Sequence, residues 1–118
     1  MNFADLFRHE ENPLQFEAGD FIIKEGSKSD VMYVILEGSV EIRHNGKVLM
    51  EETVGDIFGE LSLVDHDLAS ADVVATSPTK VAGINETRFQ FLVQQHPFFA
   101  ISVMKKMSDR IRRMNQSS

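Results

Sequence analysis

The residues with the most chemical content lie in one run, Phe58-Gly59-Glu60-Leu61-Ser62-Leu63-Val64-Asp65-His66-Asp67-Leu68-Ala69-Ser70-Ala71-Asp72-Val73-Val74-Ala75. A glycine and a glutamate follow a short apolar segment, a helix-compatible stretch and a polar loop come next, and a β-branched run closes the sequence. Backbone N–H groups at the start of a short helix form a natural cradle for an anion. The same run holds no cation, since none occurs between Phe58 and Lys80. A purely structural turn, with the Glu60 carboxylate capping nearby N–H groups, is the competing reading of Gly59-Glu60.

Other chemistries find less support. A metal enzyme built on strands needs clustered imidazoles with a carboxylate, whereas His9, His44, His66 and His96 are scattered and form no His-x-His pair. Asp65-His66-Asp67 has the residue types of a catalytic dyad, but a general base also needs a positioned partner and a pocket. There is no Gly-x-Ser-x-Gly elbow, no P-loop and no dinucleotide fingerprint. The absence of cysteine rules out disulfides, thiolate metal sites and cysteine nucleophiles. The expectation is a protein that is not an enzyme and carries neither metal nor cofactor.

The elements that must hold this run fit one domain over residues 1–118, with 42% hydrophobic and 25% charged residues, an ordinary globular composition. A net charge of −6 opposes binding of a phosphate backbone over the whole surface. No apolar run reaches the length of a membrane span and the N-terminus lacks the features of a secretion signal, so cytoplasm without a membrane partner is the expected setting.

Phe3, Leu6 and Phe7 are spaced for one short amphipathic helix ending before Pro13. A period of two then takes over: strands are expected at Leu14–Phe16, Phe21–Lys24, Val31–Leu36, Val40–Arg43, Lys47–Met50, Ile57–Phe58, Val73–Ala75 and Lys80–Ile84. Asn45-Gly46 supplies the positive φ angles of a two-residue hairpin turn. Asn85 or Thr87 caps a helix over Phe89–Val93, and His96-Pro97 separates it from a second helix running from about Pro97 toward Asn115. In that helix Ala100, Met104, Met107, Ile111 and Met114 recur at spacings of four and three, a heptad seam that either lies on the chain's own barrel or joins two copies. Lys105, Lys106, Arg110, Arg112 and Arg113 give its end a positive charge that complements the helix dipole.

This order of elements resembles the cyclic-nucleotide-binding domain of catabolite-activator-type regulators and kinase regulatory subunits. Phe58-Gly59-Glu60-Leu61-Ser62-Leu63 looks like the start of that family's phosphate-binding cassette and Ser70-Ala71-Asp72-Val73-Val74-Ala75 like its end. The resemblance implies a mainly β fold with flanking helices: an eight-stranded antiparallel jelly-roll β-barrel, a short N-terminal helix, a cassette helix and two C-terminal helices. It implies that Glu60 accepts a hydrogen bond from a ribose 2′-hydroxyl, and that N–H groups of Gly59, Glu60, Leu61 and Ser62, with those near Ser70 and Ala71, approach a cyclic phosphate. Val103, Met104, Met107 and Arg110 become the candidate lid over the base. Ala69 stands where the family places its phosphate-binding arginine.

The expectation is therefore a stand-alone regulatory or sensor domain with a degenerate cassette, binding cAMP or cGMP weakly or not at all. Asp65, Asp67 and Asp72 add like charge nearby, while His66, Arg43, Lys47 or Lys80 are the candidate substitutes for the missing cation. The alternative is a ligand-independent interaction module, a homodimer or a docking partner working through the C-terminal seam. A DNA-binding module follows this helix in the full-length regulators and the sequence stops at Ser118, so direct nucleic-acid recognition is disfavoured.

Overall fold

The computed structural model describes residues 3–117, with the side chain of Ser117 left aside. The chain divides into two compact units, one up to Glu86 and one from Thr87. In the first, a single helical turn α1 (Phe3–Leu6) is followed by β1 (Leu14–Phe16), β2 (Phe21–Ile23), β3 (Met32–Glu37), β4 (Ser39–His44), β5 (Lys47–Thr53), β6 (Ile57–Phe58), α2 (Glu60–Asp65), β7 (Asp72–Ala75) and β8 (Thr79–Ile84). The strands form two antiparallel sheets of four, in the orders β1-β8-β3-β6 and β2-β7-β4-β5. This is the jelly-roll arrangement that the spacing of short strands and glycine turns predicts.

Burial on the inner strands runs through consecutive residues, Val34 and Ile35 in β3 and Val73, Val74 and Ala75 in β7. Ile23, Ile35, Val40, Phe58, Ala69, Val73 and Val81 form one apolar cluster, with Phe16, Ile22, Tyr33 and Ile42 packed against it. The β4–β5 hairpin turns through Asn45 and Gly46 at φ 53° and 76°, and its first pair is His44 with Lys47. β5 runs three residues beyond the predicted Met50. Ile42 pairs with Met50 and Arg43 with Val48, so Leu49 is the extra residue of a bulge. A bulge of this kind bends an edge strand and leaves a residue outside the ladder, and both Val48 and Leu49 are exposed here.

Two turns on the first unit are fastened to each other. Gly38 has φ 92°, and a Cβ there would lie 2.4 Å from the Pro78 carbonyl oxygen. Beside it the buried Thr79 Oγ1 accepts from the Ser39 N–H at 3.3 Å, and its own proton reaches the Ser39 or the Ser77 carbonyl, at 3.1 and 2.9 Å. Glycine is required at position 38 both by the left-handed backbone and by the lack of space.

The second unit contains most of α3 (Glu86–Gln95) and all of α4 (Phe98–Ser117). Since α3 starts at Glu86, Asn85 rather than Thr87 is the residue preceding it. The His96 N–H still bonds Leu92 O at 2.8 Å and the Phe99 N–H bonds His96 O at 2.8 Å, so the chain turns at His96-Pro97 without losing its backbone partners. Phe89 and Phe99 meet edge to face, ring centroids 5.5 Å apart.

Candidate ligand-binding site

Gly59 opens the site. It precedes α2 in the left-handed region, φ 80°, and a Cβ at this position would sit 2.9 Å from the Val31 carbonyl oxygen and 3.2 Å from Ile23 Cδ1. The glycine thus brings the start of α2 against the β2–β3 connection, where a side chain has no room. No side chain caps α2, whose first turn begins directly after this glycine. Glu60, in that first turn, is 2% exposed, and Ser62 is also buried, while Leu61 points out. Tyr33 stacks on Phe58 beneath this turn, centroids 5.1 Å apart, and burial pushes its phenol above the usual value of 10.0.

α2 ends at His66, whose φ of 59° lets its N–H bond Ser62 O at 2.9 Å. Its ring turns to carboxylates: Nδ1 is 3.9 Å from Asp30 Oδ1 and Nε2 is 3.7 Å from Glu86 Oε2. In the loop that follows, Asp65 Oδ1 accepts the Asp67 N–H and Asp67 Oδ1 accepts the Leu68 N–H, both at 2.9 Å. These carboxylates shape the loop.

Ala69 sits at the centre of the question and is 8% exposed, its methyl group part of the apolar cluster. Its backbone is held from both sides: the Ala69 N–H bonds Ser27 O at 2.9 Å, and the Gly26 N–H bonds Ala69 O at 2.8 Å. Three residues on, Asp72 Oδ1 accepts the Glu25 N–H at 2.7 Å, and the Glu25 carboxylate lies 2.6 Å from His44 Nδ1. The turn Lys24–Ser27 is therefore strapped to the cassette's second half. The pairing of this turn with Ala69 and Asp72 spans more than forty residues and leaves no local trace in the sequence.

Of the candidate substitutes for a missing cation, Arg43 puts Nε and Nη2 at 3.0 and 2.7 Å from Glu41 Oε1. Lys80 Nζ lies 3.8 Å from Glu37 Oε2. Lys47 is exposed at the hairpin end opposite His44. Gly59, Glu60 and Ser62 are thus brought together at one turn, with Ser70 exposed and Ala71 partly buried at the other end of the loop.

The lid and seam residues lie on α4. Val103 is buried, Met104 exposed, and Met107 and Arg110 partly buried; neighbours on a helix point about 100° apart, so Val103 and Met104 do not share a face. In the seam, Met104, Ile111 and Met114 are exposed, and Ala100 and Met107 partly covered. Among the described residues no group of three or more His, Asp or Glu is placed to hold a metal ion, and no helix is long and apolar enough to cross a membrane.

Comparison with known proteins gives these positions a context. The family model described as "Cyclic nucleotide-binding domain" matches residues 13–96. A lysophospholipase, nte1, of Aspergillus niger is 34% identical over 104 residues, which cover 84% of this chain and 7% of that protein. The cAMP-dependent protein kinase regulatory subunit of Emericella nidulans is 38% identical over 85 residues, 68% of this chain and 20% of that protein. The chain therefore spans a small part of the curated relatives it matches. Among solved structures, the regulatory subunit of a cAMP-independent protein kinase A from Trypanosoma brucei superposes with a TM-score of 0.73 at 29% identity, covering 91% of this chain and 39% of that one.

Proposed function

The chain belongs to the cyclic nucleotide-binding domain family, and from that membership we propose that it is a regulatory domain whose phosphate-binding cassette is degenerate, so that cAMP and cGMP bind weakly or not at all. The observation carrying this reading is Ala69. Its methyl group lies in the apolar cluster at the position where the family resemblance places an arginine, and the backbone on either side is taken by Gly26 and Ser27.

The size of the effect follows from the lost contact. A charge-assisted hydrogen bond in a partly buried site contributes about 1.5–3 kcal/mol, and an arginine fork on phosphate is among the stronger kinds. That corresponds to roughly 10- to 150-fold in affinity. Three of the candidate substitutes are engaged elsewhere: Arg43 and Lys80 sit beside carboxylates of their own sheets and His66 faces Asp30 and Glu86. Asp65 and Asp67 keep negative charge in the loop. The regulatory subunit of the cAMP-independent protein kinase A from Trypanosoma brucei is a precedent for this fold in a kinase that does not depend on cAMP.

The residual site consists of the N–H groups of Gly59, Glu60, Leu61, Ser62, Ser70 and Ala71 with the Glu60 carboxylate, and it suits a small anion better than a nucleotide. As a regulatory part it performs no chemistry of its own. A thermal-shift screen tests this, because any ligand of the native state raises the melting temperature by mass action, by about 2.7 kcal/mol of stability at a hundred times its Kd. The expected result is no shift with tens of micromolar cAMP or cGMP. A clear shift with either removes the degenerate-cassette reading.

A further inference from the structure

The longest helix carries a charge opposite to the rest of the protein. α4 holds Lys105, Lys106, Arg110, Arg112 and Arg113 against the single Asp109, a net of +4, which leaves −10 for the rest of a chain totalling −6. It also carries much of the exposed apolar surface: Phe98 is 73% exposed, Ile101 57%, Met104 55%, Ile111 59% and Met114 55%. At 3.6 residues per turn, Ile101, Met104, Ile111 and Met114 fall within an arc of about 140°. Lys105 and Arg112, both exposed, run along one edge of that arc, and the buried Phe99 and Val103 lie beyond the other. We infer that this exposed face of α4 binds an anionic lipid surface, with its apolar arc in the headgroup region and Lys105 and Arg112 on the lipid phosphates and carboxylates.

Three observations favour lipid over a second copy or a partner helix. Pairing α4 with itself sets +4 against +4, and its one carboxylate, Asp109, lies on the far side of the helix from the arc, so no opposite charge flanks the contact. The open apolar arc is wider than the heptad seam: Ile101, outside the seam, is 57% exposed and extends the seam's arc of about 80° to about 140°, while Ala100 and Met107 inside it are partly covered. A coiled-coil partner reads a narrow seam, while an interfacial helix presents a broad face edged by long cations that snorkel. Finally, Met104, Met107, Ser108, Ile111 and Arg112 line a hollow of about 280 Å³ on this face, whose three apolar side chains and one guanidinium suit the glycerol and upper acyl region of an anionic lipid.

The test is co-sedimentation of the full chain with phosphatidylcholine vesicles, with and without phosphatidylserine, at low and at high salt. The expected result is binding that requires phosphatidylserine and falls as salt rises. Replacing two juxtamembrane cations, Lys105→Ala with Arg112→Ala, weakens it about thirty-fold. Ile111→Glu removes binding while circular dichroism and melting stay those of the parent. The inference is overturned by equal binding to neutral vesicles. It is overturned by no binding to anionic ones, which leaves the face to an acidic protein. Sedimentation showing a dimer that Ile111→Glu turns into a monomer overturns it as well, and assigns the face to a second copy.

Discussion

Placing a cation at position 69 separates a site that wants one group from a site that is misshapen. Ala69→Arg introduces a long charged side chain at a position where the native methyl group is 8% exposed and packs with Ile23, Val40, Phe58 and Val73. In the ligand-free protein this has to displace neighbours or swing toward the loop, and overpacking of that kind costs about 1–3 kcal/mol. For a domain of this size that lowers the melting temperature by several degrees. With cAMP present the guanidinium meets the cyclic phosphate, and the gain of about 1.5–3 kcal/mol raises affinity roughly 10- to 150-fold. The variant is thus expected to be less stable alone, and to show a ligand-dependent rise in melting temperature that the parent lacks. Calorimetry on the folded variant supplies the affinity. If the variant folds and its affinity for cAMP and cGMP equals that of the parent, the missing arginine is not what limits binding, and the backbone cradle itself is at fault.

Other expectations are simpler. Gly38→Ala and Gly59→Ala both force a side chain into the left-handed region, at about 1–2 kcal/mol each before any clash. Gly38→Ala is expected to be the more damaging in urea denaturation, because its Cβ meets the backbone at 2.4 Å against 2.9 Å for Gly59→Ala. The chain has one tyrosine and no tryptophan, so phenolate absorbance reports Tyr33 alone. Burial raises its folded pKa above 10.0; the unfolded chain then ionises first, and the stability from keeping the phenol neutral is lost as pH rises past the unfolded value. The midpoint should lie above 10 when native and return to the ordinary tyrosine range in urea; identical midpoints would contradict the packing of Tyr33 on Phe58.

Much of the fold is legible in the sequence because its signals are local. Asn45-Gly46 fixes the hairpin, the alternation in Val40–Arg43 fixes a strand face, and Gly59-Glu60 marks the start of α2. Even the pairing of Arg43 with Glu41 follows from two residues of alternation, which puts both on one side of β4. What was hidden is long-range or depends on context. The continuation of β5 through Glu51, Glu52 and Thr53 contradicts the low strand propensity of glutamate, and tertiary pairing overrides it, burying Glu52 opposite Val40. The straps from Gly26 and Ser27 to Ala69 join backbone groups, which no residue type announces, and the strap from Glu25 reaches the Asp72 carboxylate from far along the chain. The burial of Ala69 is in the same class: sequence shows a small residue in place of a large cation, and only the packed barrel shows that apolar neighbours fill the space around it.

Whether this cassette holds a cyclic phosphate firmly is tested most directly by calorimetric titration of the purified protein with cAMP and with cGMP. The predicted result is no measurable heat, or a dissociation constant well above the micromolar range, for both nucleotides. A low-micromolar constant for either one would contradict it, and would mean that the backbone cradle from Gly59 to Ser62 and the Glu60 carboxylate hold the nucleotide without an arginine.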